Sequence, residues 1–388
     1  MIHKYSLKMD INVKRQHLSV KGSMTYCHQN IEKQSIKLYL HKDFLNIKIS
    51  GANISRFEFD TSGAPLGFLA CSRPLEIFLA VPIHPGEALT FDFEYHGTLT
   101  FDGFPIGSIS DEFTELGFYA PVFPVTENMS NAYFDLDIKD DGNITFIHAD
   151  LNEPLFDFAL LCSKYYKNQV VKRTPLTVYY TLESDETKAN NILTMSEMVL
   201  NYYERLFGPC NQGELNIVIT PRRVGGGYCR KGLIVLSTDV SETLFSEDIF
   251  GYLAHELAHM WWLNAPINTY EDWLNESFAE FSRLLVCEEK FGAEWYSNKL
   301  TKYKETYANT PPIIGLDRNE PKAFDVLYKK GSALLCDTFN GFEYSELQDF
   351  FQLLNMLKIG DTVSFLRLLE DVYGCEFRES FETKLRVL

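Results

Sequence analysis

Two periodicities divide the chain. Up to about residue 170, apolar and polar residues alternate in short runs such as YSLKMDINV, SIKLYL, LEIFLAV, LTFDFEY and ITFIHAD, separated by Gly, Pro, Asn and Asp. A period of two with these breaks predicts strands joined by turns. Beyond KRTPLTVYYTLES the period lengthens: LTMSEMVLNYYERLFG sets Leu193, Met195, Met198, Val199, Tyr202 and Leu206 at helical spacing and stops at Gly208. The apolar runs LNIVIT and GLIVLS predict two more strands, Ser246 followed by Glu247 and Asp248 predicts a helix N-cap, and after residue 290 the text is helical to the end. These elements predict an α+β protein of two domains, with residues 1–170 forming a β domain and residues 171–388 a domain that is mostly helical toward its end.

Within the second part, FGYLAHELAHMWWLN is a helical stretch containing His255, Glu256 and His259. Residues four apart share a helix face, so the two imidazoles converge on one metal ion, while Glu256, one residue on, is turned toward a water at that metal. The nine histidines sharpen the signal, because downstream of His148 the two in this motif are the only ones. After the polar connection APINTYED, EDWLNESFAEFSRLLV predicts a second helix with Phe278, Phe281, Leu284 and Leu285 on its core face. Glu276 lies near its start, with sixteen residues between it and His259, flanked by Leu274 and Phe278. A zinc ion that keeps one position open for water has three protein ligands, and Glu276 completes that set.

HELAHMWW followed by WLNESFAEF resembles the gluzincin zinc aminopeptidases, the family of the alanyl aminopeptidases and leukotriene hydrolase. The resemblance implies a saddle-like β domain followed by a thermolysin-like catalytic domain, one Zn2+ held by His255, His259 and Glu276, and Glu256 as catalytic base. The spacer is two residues shorter than the family's, as for a trimmed interhelical turn, and Ser277 replaces the glycine that follows the glutamate. Metal-bound histidines donate their other ring nitrogen to a carboxylate, which points to Glu280; the alternative for Glu280 is an i,i+3 pair with Arg283. Downstream, FDVLYKKGSALL resembles the family's Tyr-x-Lys-Gly and implies that Tyr328 donates a hydrogen bond to the oxyanion formed on attack at a peptide carbonyl. The large carboxy-terminal helical domain of many members has no counterpart, which implies a short form with a more open cleft.

Upstream the pattern departs. Where the family has Gly-x-Met-Glu-Asn, whose glutamate holds the substrate's α-amino group, this chain has GGGYCRKGLIVLS, with Cys229 at the glutamate's place and no carboxylate between Gly225 and Ser237. Three readings follow. Another carboxylate binds the amine, for example Glu115 in TELGFYAPVFPV; or the substrate has no free amine there and Arg230 meets a carboxylate; or Gly226, Gly227, Tyr228, Cys229 and Arg230 form an edge along which an extended peptide is added as a strand.

Composition narrows the partners. A net charge of -17 argues against nucleic acid and anionic membranes, and 45% hydrophobic residues over 388 positions allow substantial cores. No run of about 18 uncharged apolar residues occurs, the start MIHKYSLKMDINVKRQ lacks a secretory pattern, and the eight cysteines are scattered without Cys-x-x-Cys, so a reducing, cytoplasmic setting is expected. The expected function is a zinc metallopeptidase acting on peptides, aminopeptidase-like. The alternatives are an endopeptidase or a peptidase for modified or acidic termini, and a non-enzymatic interaction module on the same fold.

Overall fold

The computed structural model describes residues 2–28, 32–100, 107–110, 112–140, 145–171, 176–181, 186–210, 213–222, 226–237, 247–307 and 310–387. Its first half is β: β1 (His3–Asn12), β2 (His17–Cys27), β3 (Lys33–His41), β4 (Phe44–Ser50), β5 (Ile54–Phe59), β6 (Ser72–Ile83), β7 (Ala88–Thr98), β8 (Thr114–Leu116), β9 (Val125–Thr126), β10 (Ala132–Asp140), β11 (Thr145–Ile147) and β12 (Leu160–Ser163). One sheet runs β10-β1-β2-β7-β4 and another β5-β6-β3-β9, with β11-β12-β8 as a third. Alternation sets which side is dry: along β1, Tyr5, Leu7, Met9 and Ile11 are buried while their neighbours face water. They meet Ile36, Leu38 and Ile77 of the second sheet in one core with Phe91 and Phe93 of β7.

The second half carries the sheet β13-β14-β15-β17-β16, built from β13 (Lys167–Val171), β14 (Leu176–Tyr180), β15 (Leu215–Thr220), β16 (Gly227–Arg230) and β17 (Leu233–Ser237). Strand β16 lies antiparallel on β17 at the sheet's edge. The helices are α1 (Glu186–Phe207), α2 (Glu247–Ala258), α3 (Trp273–Phe291), α4 (Ala293–Tyr307), α5 (Gly331–Phe339), α6 (Tyr344–Leu357), α7 (Thr362–Tyr373) and α8 (Cys375–Arg386), with a π-helical turn over Asp325–Lys330 leading into α5. None of the described helices is long and apolar enough to cross a membrane.

Of the apolar positions at helical spacing in α1, only some are buried. Ile192, Met195, Val199, Tyr203 and Leu206 face the core, whereas Met198 is exposed and Tyr202 only partly covered. Both rows satisfy helical spacing, and the choice falls to the one that seats Tyr203 under α2, where its hydroxyl donates to the Ala254 carbonyl at 2.9 Å. The helix ends before Gly208, whose φ of 81° suits a glycine. Ser246 as an N-cap lies outside the described residues.

The short connection between α2 and α3 is held by Asn275. Its side chain accepts from the Ala265 amide at 3.0 Å and donates to the Ala265 carbonyl at 3.0 Å and to Asp272 at 2.9 Å. With Asn275 buried, these bonds satisfy backbone groups in a turn too irregular to satisfy its own. The halves meet along β16. Arg230 pairs with Asp157 at 2.9 Å, Arg222 with Glu115 at 3.1 Å, and the Lys231 carbonyl accepts from the Asp150 amide at 2.8 Å. Phe113, Ile147 and Leu161 pack there against Val218, Tyr228 and Val235.

Candidate active site

Helices α2 and α3 bring His255, His259 and Glu276 together, with one ligand atom from each within 4.8 Å of the others. Glu276 Oε2 lies 3.2 Å from His255 Nε2 and 3.5 Å from His259 Nε2. A tetrahedral zinc with bonds of about 2.0–2.1 Å sets its ligand atoms about 3.3 Å apart, so the cluster fits that ion. The other ring nitrogens fix the tautomers: His255 Nδ1 lies 2.9 Å from Glu280 Oε2 and His259 Nδ1 lies 3.0 Å from the Trp262 carbonyl oxygen. With Nδ1 donating on both rings, both Nε2 lone pairs point at the shared site.

The two readings of Glu280 are both realised. Besides His255, it accepts from Arg283 Nη1 at 3.0 Å and from the Tyr303 hydroxyl of α4, and all its partners are drawn inward by its burial. Burial disfavours its charge, but Arg283 and His255 outweigh that and hold its pKa down at about 2. Burial likewise opposes a charged His255, yet Glu276 and Glu280 lift it to about 10; Glu276 in turn is pulled below the usual carboxylate range by the two histidines. The three side chains thus form a hydrogen-bonded ion cluster, in which a divalent ion would take the proton's place as the positive charge.

Glu256, one residue on from His255, is buried beside the ligand set. Burial raises its pKa, while the histidines and a hydrogen bond from Tyr252 restrain the rise. Tyr252 occupies the position one turn earlier on α2, and its hydroxyl also accepts the Gly227 amide of β16. This tyrosine was not singled out from sequence, although the i, i+4 spacing to Glu256 was a usable signal.

Tyr328 lies on the π-turn, stacked on His255 with ring centroids 5.4 Å apart and on Phe324 at 4.2 Å. Its hydroxyl hydrogen-bonds Glu276, and burial raises its pKa, so the phenol stays protonated. Lys330 of the same motif is a clamp: its Nζ donates to the carbonyls of Pro311 at 2.9 Å and Val387 at 3.0 Å. Ser277 donates to the Leu327 carbonyl at 2.5 Å, tying the residue after Glu276 to the turn that bears Tyr328. A Cβ at Gly331 would fall 1.9 Å from Ser277 Oγ, so glycine there is what lets the turn close on the serine. Since a π-turn leaves backbone carbonyls poorly paired, Ser277→Ala should lower kcat about tenfold while zinc content stays at one per chain; an unchanged kcat would remove this tie from the account.

The remaining site residues enclose a cavity of ≈ 610 Å³ between the halves, with Phe68, Phe118, Tyr119 and Phe156 on the β side and Gly227, Tyr228, Cys229 and Arg230 on the other. Gly226 leads into this strand and its carbonyl accepts from the Ser237 amide at 2.9 Å. Glu115, the alternative amine anchor, is directed elsewhere: it is buried off the cavity wall, accepting from Arg222 at 3.1 Å and Tyr228 at 3.0 Å. Arg230 is likewise engaged, with Nε on Asp157 and Nη1 on the Cys229 carbonyl at 2.8 Å. Arg318, 2.8 Å from Asp272, also lines the cavity and had no local signal in the sequence.

No family model matches this chain, and no curated protein matches it. Among solved structures, an M1 zinc metallopeptidase from Deinococcus radiodurans is similar with a TM-score of 0.69 at 16% identity, covering 99% of this chain and 94% of that one. A glutamate-to-alanine mutant bound to a Tyr-Ser-Ala substrate gives 0.66 at 17%, over 99% and 94% of the two chains. A two-domain M1 zinc metallopeptidase mutant bound to L-tryptophan gives 0.66 at 17%, over 100% and 94%. The fold is that of the two-domain M1 zinc metallopeptidases. An amino-terminal β part followed by a helical part, as the two periodicities predict, thus matches M1 structures over nearly their whole length.

Proposed function

We propose that this protein is a zinc-dependent metallopeptidase that hydrolyses peptide bonds. The observation that carries the reading is the His255, His259 and Glu276 cluster, tautomerically set for a cation, with the buried carboxylate of Glu256 beside it. The M1 fold supports it, and the Tyr-Ser-Ala substrate of the neighbour supports short peptides as ligands. His255, His259 and Glu276 would hold a zinc ion there, which would supply Lewis acidity toward the scissile carbonyl and toward a water. Glu256 takes the proton from that water and returns it to the leaving amine, a task suited to a carboxylate whose pKa burial has raised. Tyr328 donates its O–H to the developing oxyanion, and Glu280 keeps His255 in the ligand orientation. Tyr252, fixed between the Gly227 amide and Glu256, aligns the base with the strand along which the peptide lies.

The test is peptide cleavage read by mass spectrometry together with zinc content. Purified protein should hold about one zinc per chain, lose cleavage on chelation and regain it on adding zinc. Cleavage that persists in metal-stripped protein, or zinc content near zero at full activity, would sink the proposal.

A further inference from the structure

The charges on the cavity wall bear on which peptides enter. Among the described residues, its carboxylates are Glu256, Asp272, Glu276 and Glu280. Each is engaged: Glu276 in the ligand set, Glu280 with His255, Arg283 and Tyr303, Asp272 with Arg318 and Asn275, and Glu256 with Tyr252 beside the ligand set. Four cationic side chains, Arg230, Arg283, Arg318 and Lys329, line the same cavity, and each is already paired with a carboxylate, Asp157, Glu280, Asp272 and Asp325 respectively. An ammonium brought here would shed water and find every wall carboxylate already engaged.

The edge of β16 is equally selective. Its Gly227 amide is taken by Tyr252, and its Cys229 carbonyl by Arg230 Nη1 at 2.8 Å. Alternation along an antiparallel strand leaves the Gly227 carbonyl and the Cys229 amide facing outward between those two, one acceptor and one donor at the spacing of a single extended residue. Just beyond, the Arg230 guanidinium is packed among Tyr119 at 5.3 Å, Phe156 at 4.5 Å and Tyr228 at 4.7 Å. The outward Cys229 amide calls for a carbonyl oxygen, which an acylated amino terminus supplies at this place and a free ammonium does not.

We infer that the cavity takes peptides with an amide rather than a free ammonium opposite Cys229 and Arg230, that is, amino-terminally acylated peptides or internal segments of longer ones. This rests on the peptidase reading for its chemistry but not for its binding preference. Without a carboxylate at Cys229 or an available one at Glu115, selection falls on the acyl group, whose carbonyl oxygen would accept from the outward Cys229 amide.

The experiment uses zinc-loaded Glu256→Gln protein, with Tyr-Ser-Ala and Nα-acetyl-Tyr-Ser-Ala as probes and calorimetry as readout, alongside turnover of both by the unaltered protein. The acetylated peptide should bind at least tenfold more tightly and be cleaved with at least tenfold greater kcat/KM. Equal or tighter binding of the free peptide overturns the inference. Tighter binding of the acetylated form with no cleavage of either keeps the binding preference and sinks the peptidase reading; no binding of either overturns both.

Discussion

Glu256→Gln is expected to lower kcat by about 10³-fold or more while leaving one zinc per chain and substrate affinity within a few-fold. The amide is nearly isosteric with the carboxylate and still accepts from Tyr252, so α2 and the ligand set keep their geometry. What it loses is the ability to accept a proton from water and pass it on. Glu256 is suited to that task because burial raises its pKa, making it more basic than a carboxylate in water, while His255 and His259 limit the rise. Steady-state kinetics with metal analysis on the same sample checks this. Activity within tenfold of the unaltered protein, at full zinc content, would falsify the assignment of the base.

The second large effect belongs to Tyr328. Tyr328→Phe should reduce kcat by about 10²- to 10³-fold, the range found when one oxyanion donor is removed, with KM changed by less than a few-fold. Phenylalanine preserves the stack on His255 and Phe324, so the ring continues to pack the π-turn and the fold is retained. Burial pushes the phenol's pKa upward, which keeps the hydroxyl a donor through neutral and mildly alkaline pH. The deficit of the variant should therefore be constant between about pH 6 and 9; a deficit that vanished at the alkaline end would mean the hydroxyl acts as an acid or base instead. A rise in KM with unchanged kcat would place Tyr328 in ground-state binding and not at the oxyanion.

What could be read from sequence was whatever a local period encodes. The i, i+4 spacing sets His255 and His259 on one face at the end of α2, and the structure brings Glu276, at the start of the next helix, to the same place. Glu280 could not be decided between two partners, and the structure gives it both, since a carboxylate has four lone-pair sites and Arg283 and His255 approach from different sides. The partners of the strand before the zinc helix were beyond any local reading: Arg230 finds Asp157 from 73 positions away, and Glu115 finds Arg222 from 107. Ser277 was legible only as a departure from the family's glycine, because its acceptor, the Leu327 carbonyl, lies 50 positions downstream on a turn whose π geometry no periodicity announces. Spacing alone leaves the core row of α1 open, because a helix with apolar residues on adjacent rows does not declare which row is buried until Tyr203 has somewhere to donate.

The ion pairs of Arg222 and Arg230 with Glu115 and Asp157 have a consequence for how the molecule can be rebuilt. They run from the β half to the two ends of the short segment that carries β16, the edge on which the proposed peptide would lie, so each half holds one side of a bond that positions that edge. Exchanging the β half for that of another protein with this fold would leave two guanidinium groups buried without counter-ions and release the strand they position. The two parts are therefore not modular with respect to substrate choice, and inheritance of a new specificity on this scaffold has to proceed by coordinated change across the seam.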